Sequence, residues 1–190
     1  LRQGSAMALV QSNGMAVGTP APAFSLPGTD GETWSLADFA DAKALVVVFT
    51  CNHCPYAIAS EDRLIALQRD YADRGVRLVA INPNDAASHP GDSFERMVER
   101  AEAKGFPFPY LRDESQEVAR AYDAACTPDV FVFDADRRLV YNGRIDDSWK
   151  DASAVQRQDL RQVLDRTLEG QPHGLAEVVP SMGCSIKWKR

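Results

Sequence analysis

Ala44-Leu45-Val46-Val47-Val48-Phe49 is an unbroken apolar run, and just beyond it the chain reads Cys51-Asn52-His53-Cys54-Pro55. A run with no polar alternation is buried on both faces, the habit of a central strand in a sheet covered by helices. Pro55 suits the first turn of a helix, because its φ is fixed and its missing N–H has no partner to lose there. Ala57, Leu64, Leu67 and Tyr71 keep helical spacing, and Gly75 stops the helix. A strand feeding a helix through so short a turn commits the chain to an α/β architecture and sets two cysteines at the junction.

The flanking segments extend this layout. Ala23–Leu26 and Thr33–Leu36 alternate around a Gly28-Thr29-Asp30-Gly31 turn, which predicts a hairpin. Arg77–Ile81 repeats the character of a buried strand. Phe94, Met97, Val98 and Ala101 mark a helix with Asp92 as N-cap, Glu95 three residues on and Gly105 as stop. A short helix is expected over 114–122, followed by a hairpin from Val130–Phe133 and Leu139–Arg144. Ser153 and Gln156 predict a capping box for a last helix whose buried stripe is Leu160, Val163, Leu164 and Leu168, ending at Gly170. The order implies a central mixed β-sheet with helices on both faces. Residues 171–190 show no period and read as a tail packed on a single domain over 17–170.

Position gives the Cys51/Cys54 spacing its chemical meaning. A sulfur at a helix start faces unpaired N–H groups and the positive end of the dipole, both of which favour thiolate. Cys51 is thus expected to be an exposed, ionised nucleophile, with Cys54 one turn on as the resolving thiol. His53, when protonated, stabilises the Cys51 thiolate and raises the reduction potential above thioredoxin's roughly -270 mV. Two buried cysteines without chemistry, or a metal site adding His53, Cys126 or Cys184, are the competing readings. No second pair at zinc-finger spacing supports the metal, so no metal or cofactor is expected.

The formal net charge of -6, with no Lys/Arg-rich run, argues against nucleic-acid or anionic-membrane partners. The longest apolar run falls far short of the roughly 20 residues that span a bilayer. Residues 1–6 read as a vector-derived remnant ahead of Met7, and with no leader pattern behind them a cytoplasmic location is expected. Four cysteines are too sparse for a disulfide scaffold and point to reactivity instead.

The arrangement resembles the thioredoxin-like superfamily, in particular its alkyl hydroperoxide reductase/thiol-specific antioxidant branch of peroxiredoxins and TlpA-like oxidoreductases. The likeness is carried by Gly18–Pro27 with Asp30-Gly31 and Ser35–Phe39, by Phe49–Tyr56, by Cys126–Asp129, and by the tail Gly183–Lys189. It implies a thioredoxin fold with an N-terminal β-hairpin extension. It also implies a cis Thr127–Pro128 bond in a loop that faces the cysteine pair and holds substrate.

The activity implied is thiol-disulfide exchange on protein or small-molecule thiols and disulfides, with a thioredoxin- or glutathione-type reductant. Reduction of peroxide is the alternative enzyme reading, and a copper metallochaperone is the reading from another class. The chain departs from the branch in three ways. Val46 and Val47 stand where peroxiredoxins carry a proline, Thr50 stands where thioredoxin has tryptophan, and Leu45 replaces thioredoxin's buried aspartate, so the usual proton acceptor is missing.

Cys126 and Cys184 each admit two readings, a further redox thiol or a packed small hydrophobe. Cys184 is expected to be inert in a tail docked by Ile186 and Trp188. Arg144, Asp146, Asp147 and Trp149 read as solvated surface rather than the edge of a groove. His89 and His173 have no partner visible in sequence.

Overall fold

The computed structural model describes residues 8–190, so the remnant assigned to 1–6 lies outside the described residues. In chain order the elements are β1 (Leu9–Gln11), β2 (Ser25–Pro27), β3 (Thr33–Ser35), β4 (Ala44–Phe49), α1 (Pro55–Tyr71), β5 (Val76–Asn82) and α2 (Phe94–Lys104). They continue with β6 (Tyr110–Arg112), α3 (Glu117–Ala121), β7 (Cys126–Thr127), β8 (Asp129–Phe133), β9 (Leu139–Asn142), α4 (Asp159–Leu168) and β10 (Met182–Ser185).

The main sheet has the order β6-β5-β4-β8-β9, with β4 parallel to β5 and antiparallel to β8. All six residues of β4 are fully buried, and their period of two divides the core into two layers. Val46 and Val48 meet α1, α2 and α4 through Leu64, Met97 and Leu160. Leu45, Val47 and Phe49 face the other way, onto Phe24 and Leu26 beside the β2–β3 hairpin and Tyr122 after α3. The mixed sheet, its helical layers and the hairpin extension meet the expectation for a thioredoxin fold.

A second, smaller sheet escaped the sequence reading. Its order is β1-β10-β7, so the tail is a strand running antiparallel beside the Thr127–Pro128 loop. Gly183 makes the approach possible, since a Cβ there would lie 2.0 Å from the Thr127 carbonyl oxygen. The tail is docked further by Ile186, which is buried with the lower core, and by Trp188 under the Arg120 guanidinium. Among the described residues no helix is long and apolar enough to cross a membrane.

Three element boundaries correct the sequence reading. Helix α2 is capped by Ser93, whose side chain accepts the Arg96 N–H, and Asp92 is not the cap. Helix α4 starts at Asp159 rather than after Ser153: Asp151 accepts the Ser153 N–H, and Asp147 accepts that of Gln156. Both halves of the expected capping box are thereby diverted. Helix α3 is shorter than 114–122, because the Asp113 carboxylate receives the Val118 and Ala119 N–H groups and fixes the entry there.

Candidate active site at the start of the first long helix

Pro55 opens α1 as its first residue, which makes Cys54 the N-cap and places Cys51 three residues before that cap. The expected exposure of Cys51 is corrected. Cys51 is only 2% exposed and Cys54 only 1%, and Cys54 is the sulfur at the helix start. The Thr127–Pro128 bond is cis, as the resemblance implied. Thr127 addresses both sulfurs: its Oγ1 is 3.4 Å from Cys51 Sγ, and its carbonyl oxygen is 3.4 Å from Cys54 Sγ.

The two sulfurs belong to one buried cluster and titrate as a pair. The interaction with Cys51 pulls Cys54 down to about 4 against the opposing effect of burial, helped by Cys184, the Ala57 N–H and Thr127. The same interaction, with burial and the Asp92 charge, pushes Cys51 well above the ordinary thiol range. Cys54 is therefore the more acidic of the two.

A carboxylate does stand at the site, and it is Asp92. Its side chain is fully buried, accepting the Asn52 N–H at 2.8 Å and the side-chain amides of Asn82 at 3.1 Å and Asn84 at 3.0 Å. His53 Nδ1 lies 2.7 Å from the second oxygen. Burial alone would raise Asp92, but the His53 ring, the Asn52 N–H and the Asn84 amide hold it below the usual carboxylate value. Reciprocally, the close Asp92 carboxylate raises His53 despite its partial burial. His89, left without a partner by the sequence, stacks on His53 with centroids 5.6 Å apart and is lowered by burial and by the His53 charge. His173 lies elsewhere, edge-on to Tyr141.

Sequence reasoning missed Asp92 because it stands next to Ser93, and both are good helix caps. With Ser93 capping, the acid is free to turn inward, and Asn82 and Asn84 at the end of a buried strand are the signal that such a group needs partners. Tyr110 was also missed; it donates from its hydroxyl to Asn52 Oδ1 at 2.7 Å and steadies the turn between the cysteines.

On the other side, Arg144, Asp146, Asp147 and Trp149 are not merely solvated surface. They line a cavity of about 210 Å³ together with Tyr56, Pro128, Val130 and Ile145. The Tyr56 and Trp149 rings lie 4.0 Å apart, and Arg63 pairs with Asp146 at 3.0 Å. Tyr56 also packs against the cysteine cluster, so the cavity borders the reactive pair.

Of the other cysteines, Cys184 joins Cys51 and Cys54 in one buried cluster, whereas Cys126 turns away, its Sγ 3.6 Å from the Pro128 carbonyl oxygen. One metal-compatible set exists among the described residues: Cys51, His53 and Asp92 bring ligand atoms within 4.8 Å of one another. A thiophilic cation fits those donors, though Asp92 is already engaged by three amides.

A buried dithiol on the lip of α1, roofed by a cis-proline loop and carried on a mixed sheet, defines a thioredoxin-fold redox protein. The Redoxin family profile matches residues 16–164, and the chain belongs to that family. It is similar to a conserved protein from Geobacillus kaustophilus of known crystal structure, with 47% identity and a TM-score of 0.92 over 97% of this chain and 98% of that one. A provisionally named peroxiredoxin of Mycobacterium tuberculosis is 28% identical over 61% of this chain and 69% of its own length. The thiol-disulfide oxidoreductase ResA of Geobacillus kaustophilus is 27% identical over 65% of this chain and 67% of its own.

Proposed function

We propose that this protein is a thiol-disulfide oxidoreductase in which Cys51 attacks, Cys54 resolves and Thr127 serves both. The observation that carries the reading is the placement of Thr127, with its hydroxyl on Cys51 and its carbonyl on Cys54. As Cys51 approaches a substrate disulfide, its proton passes to the neighbouring Cys54 sulfur, the more acidic of the pair. The developing Cys51 thiolate then has the Thr127 hydroxyl as donor, and the new Cys54 thiol has the Thr127 carbonyl as acceptor. Cys54 thus replaces the buried carboxylate whose absence the sequence suggested.

Attack forms a Cys51–substrate disulfide and expels one substrate sulfur as thiolate. That thiolate takes the proton from Cys54, whose thiolate then attacks Cys51 Sγ, closes the Cys51–Cys54 disulfide and expels the second substrate sulfur as a thiolate that takes its proton from water. Two electrons leave the protein and one substrate disulfide becomes two sulfhydryl groups. One thioredoxin-type dithiol, or two molecules of a glutathione-type thiol, restores the pair. Substrate is received by the cavity beside Pro128, whose Tyr56 and Trp149 rings favour an apolar group flanking the disulfide.

The test incubates reduced Cys54→Ser protein with a small aromatic disulfide and a protein disulfide, and maps the adducts by mass spectrometry. A mixed disulfide confined to Cys51, with wild-type protein turning over at the expense of dithiothreitol, is expected. Peroxide consumption through a Cys51 sulfenic acid, without disulfide turnover, would replace this reading with a thiol peroxidase.

A further inference from the structure

Exchange between Cys51 and Cys54 leaves Cys184 without a task, although the fold takes trouble to bring it there. β10 pairs with β7 so that Cys184 lies opposite Thr127 and Ser185 opposite Cys126. Directly opposed residues share a face of a sheet, and successive residues alternate. Cys184 and Thr127 therefore look at the reactive pair, while Ser185 and Cys126 look away from it. The register depends on a strand approach that only glycine permits at position 183, where a Cβ would meet the Thr127 carbonyl oxygen. Cys184 is 4% exposed and packed in one buried cluster with Cys51 and Cys54.

We propose that Cys184 is a third redox residue, whose sulfur exchanges with the Cys51–Cys54 disulfide at Cys54 Sγ and moves the bond to Cys54–Cys184. The inference rests on the disulfide-exchange reading above. The Cys184–Cys54 bond forms, the Cys51–Cys54 bond breaks, and the proton lost by Cys184 is taken up by Cys51. No electrons enter or leave, so no further oxidant is required.

Within the buried cluster, Cys54 is the sulfur whose titration is tied to both others, which makes it the common member of the two disulfides. Burial and the interaction with Cys54 push Cys184 up to about 12 in the reduced cluster. Once Cys54 is tied up in a disulfide its negative charge is gone, and that part of the restraint on Cys184 goes with it. In the second oxidised form Cys51 is again a free thiol, while the oxidising equivalents are held between α1 and the tail strand.

Tryptic peptides 44–63, 121–137 and 167–187 separate the Cys51/Cys54, Cys126 and Cys184 sulfurs. Cys51→Ser protein is oxidised with one equivalent of diamide and mapped without reduction. Most molecules are expected to link 44–63 to 167–187 through Cys54 and Cys184, leaving 121–137 alkylatable. A crosslink to 121–137, a disulfide between two molecules, or a free Cys54 after oxidation would overturn the proposal.

Should Cys51→Ser fail to fold, wild-type protein oxidised by one equivalent decides the matter: a 44–63/167–187 crosslink with Cys51 alkylated supports the exchange, and exclusive Cys51–Cys54 linkage refutes it. In either case, wild-type disulfide turnover reports separately on the parent reading. Turnover without the Cys184 crosslink removes only the third thiol, and loss of turnover with no Cys51–Cys54 bond removes the exchange chemistry itself.

Discussion

The two walls of the cysteine pair are built from opposite materials. On the α2 side stand Asn52, His53, Asn82, Asn84, His89, Asp92 and Tyr110, joined by hydrogen bonds and stacking, with the carboxylate fully buried. On the β9–α4 side stand Tyr56, Pro128, Val130, Ile145 and Trp149 around a cavity. A polar network holds fixed charges close to the sulfurs, whereas the hollow, with Arg144, Asp146 and Asp147 at its apolar lining, has room for a substrate group. The contrast teaches that fixed charge is gathered at one wall and room for a substrate group at the other. Each wall is therefore open to a separate test.

The largest effect is expected where both walls meet β10. Gly183→Ala forces a methyl group against the Thr127 carbonyl, and overpacking of this kind costs about 3 kcal/mol. Urea denaturation should show the midpoint falling with the slope unchanged. A loss under about 0.5 kcal/mol, the size of an ordinary surface change, would mean that the strand can back away freely.

Asp92→Asn attacks the polar wall alone. Three amides and an imidazole lose a charged acceptor, so stability should fall by about 2 kcal/mol. In a proton NMR titration the His53 ring should drop from above its ordinary 6.5 to that value or lower. An unmoved His53 titration would break the division between the walls, because the charge would then be set from elsewhere.

Trp149→Ala attacks the other wall. Loss of the stacked partner of Tyr56 is worth about 1 kcal/mol, so KM for an aromatic disulfide should rise about fivefold at constant kcat, with His53 titrating as before. A fall in kcat with KM unchanged would place Trp149 in the chemistry instead.

The smallest effect is the pH dependence of stability. His53 binds its proton more tightly in the folded chain, so its contribution is complete below about 6.5 and fades as pH rises through the folded value. Asp92 binds its proton less tightly when folded, so its contribution is present above about 3.8 and fades as pH falls through the folded value. The stability difference between wild type and Asp92→Asn should be greatest between about pH 4 and 6.5 and shrink on either side. A difference flat across that range would show that the two groups do not act as a pair.

Much of this layout was legible in the chain, for physical reasons that also explain the gaps. The continuous apolar β4, the Pro55 helix start and the amphipathic α2 and α4 are local patterns, and they placed the cysteine pair at a strand-to-helix junction. What could not be read depends on contacts between distant segments. Asp92 and Ser93 compete for one cap, and only the neighbouring strand decides which turns inward. β1, β7 and β10 are too short to carry a period of their own, and they exist because their backbones complete one another. That Cys54 rather than Cys51 stands at the helix start follows from where the first helical turn begins, a shift of three residues that spacing alone does not fix.

The small β1-β10-β7 sheet also sets a timetable. Residues 54 and 184 are 130 positions apart, so at roughly 5–20 residues per second a ribosome adds the second cysteine about 10 seconds after the first. Through that interval the sulfurs lack the strand that shelters one side of them, and a nascent chain meets oxidants with its most acidic thiol less protected than it will ever be again.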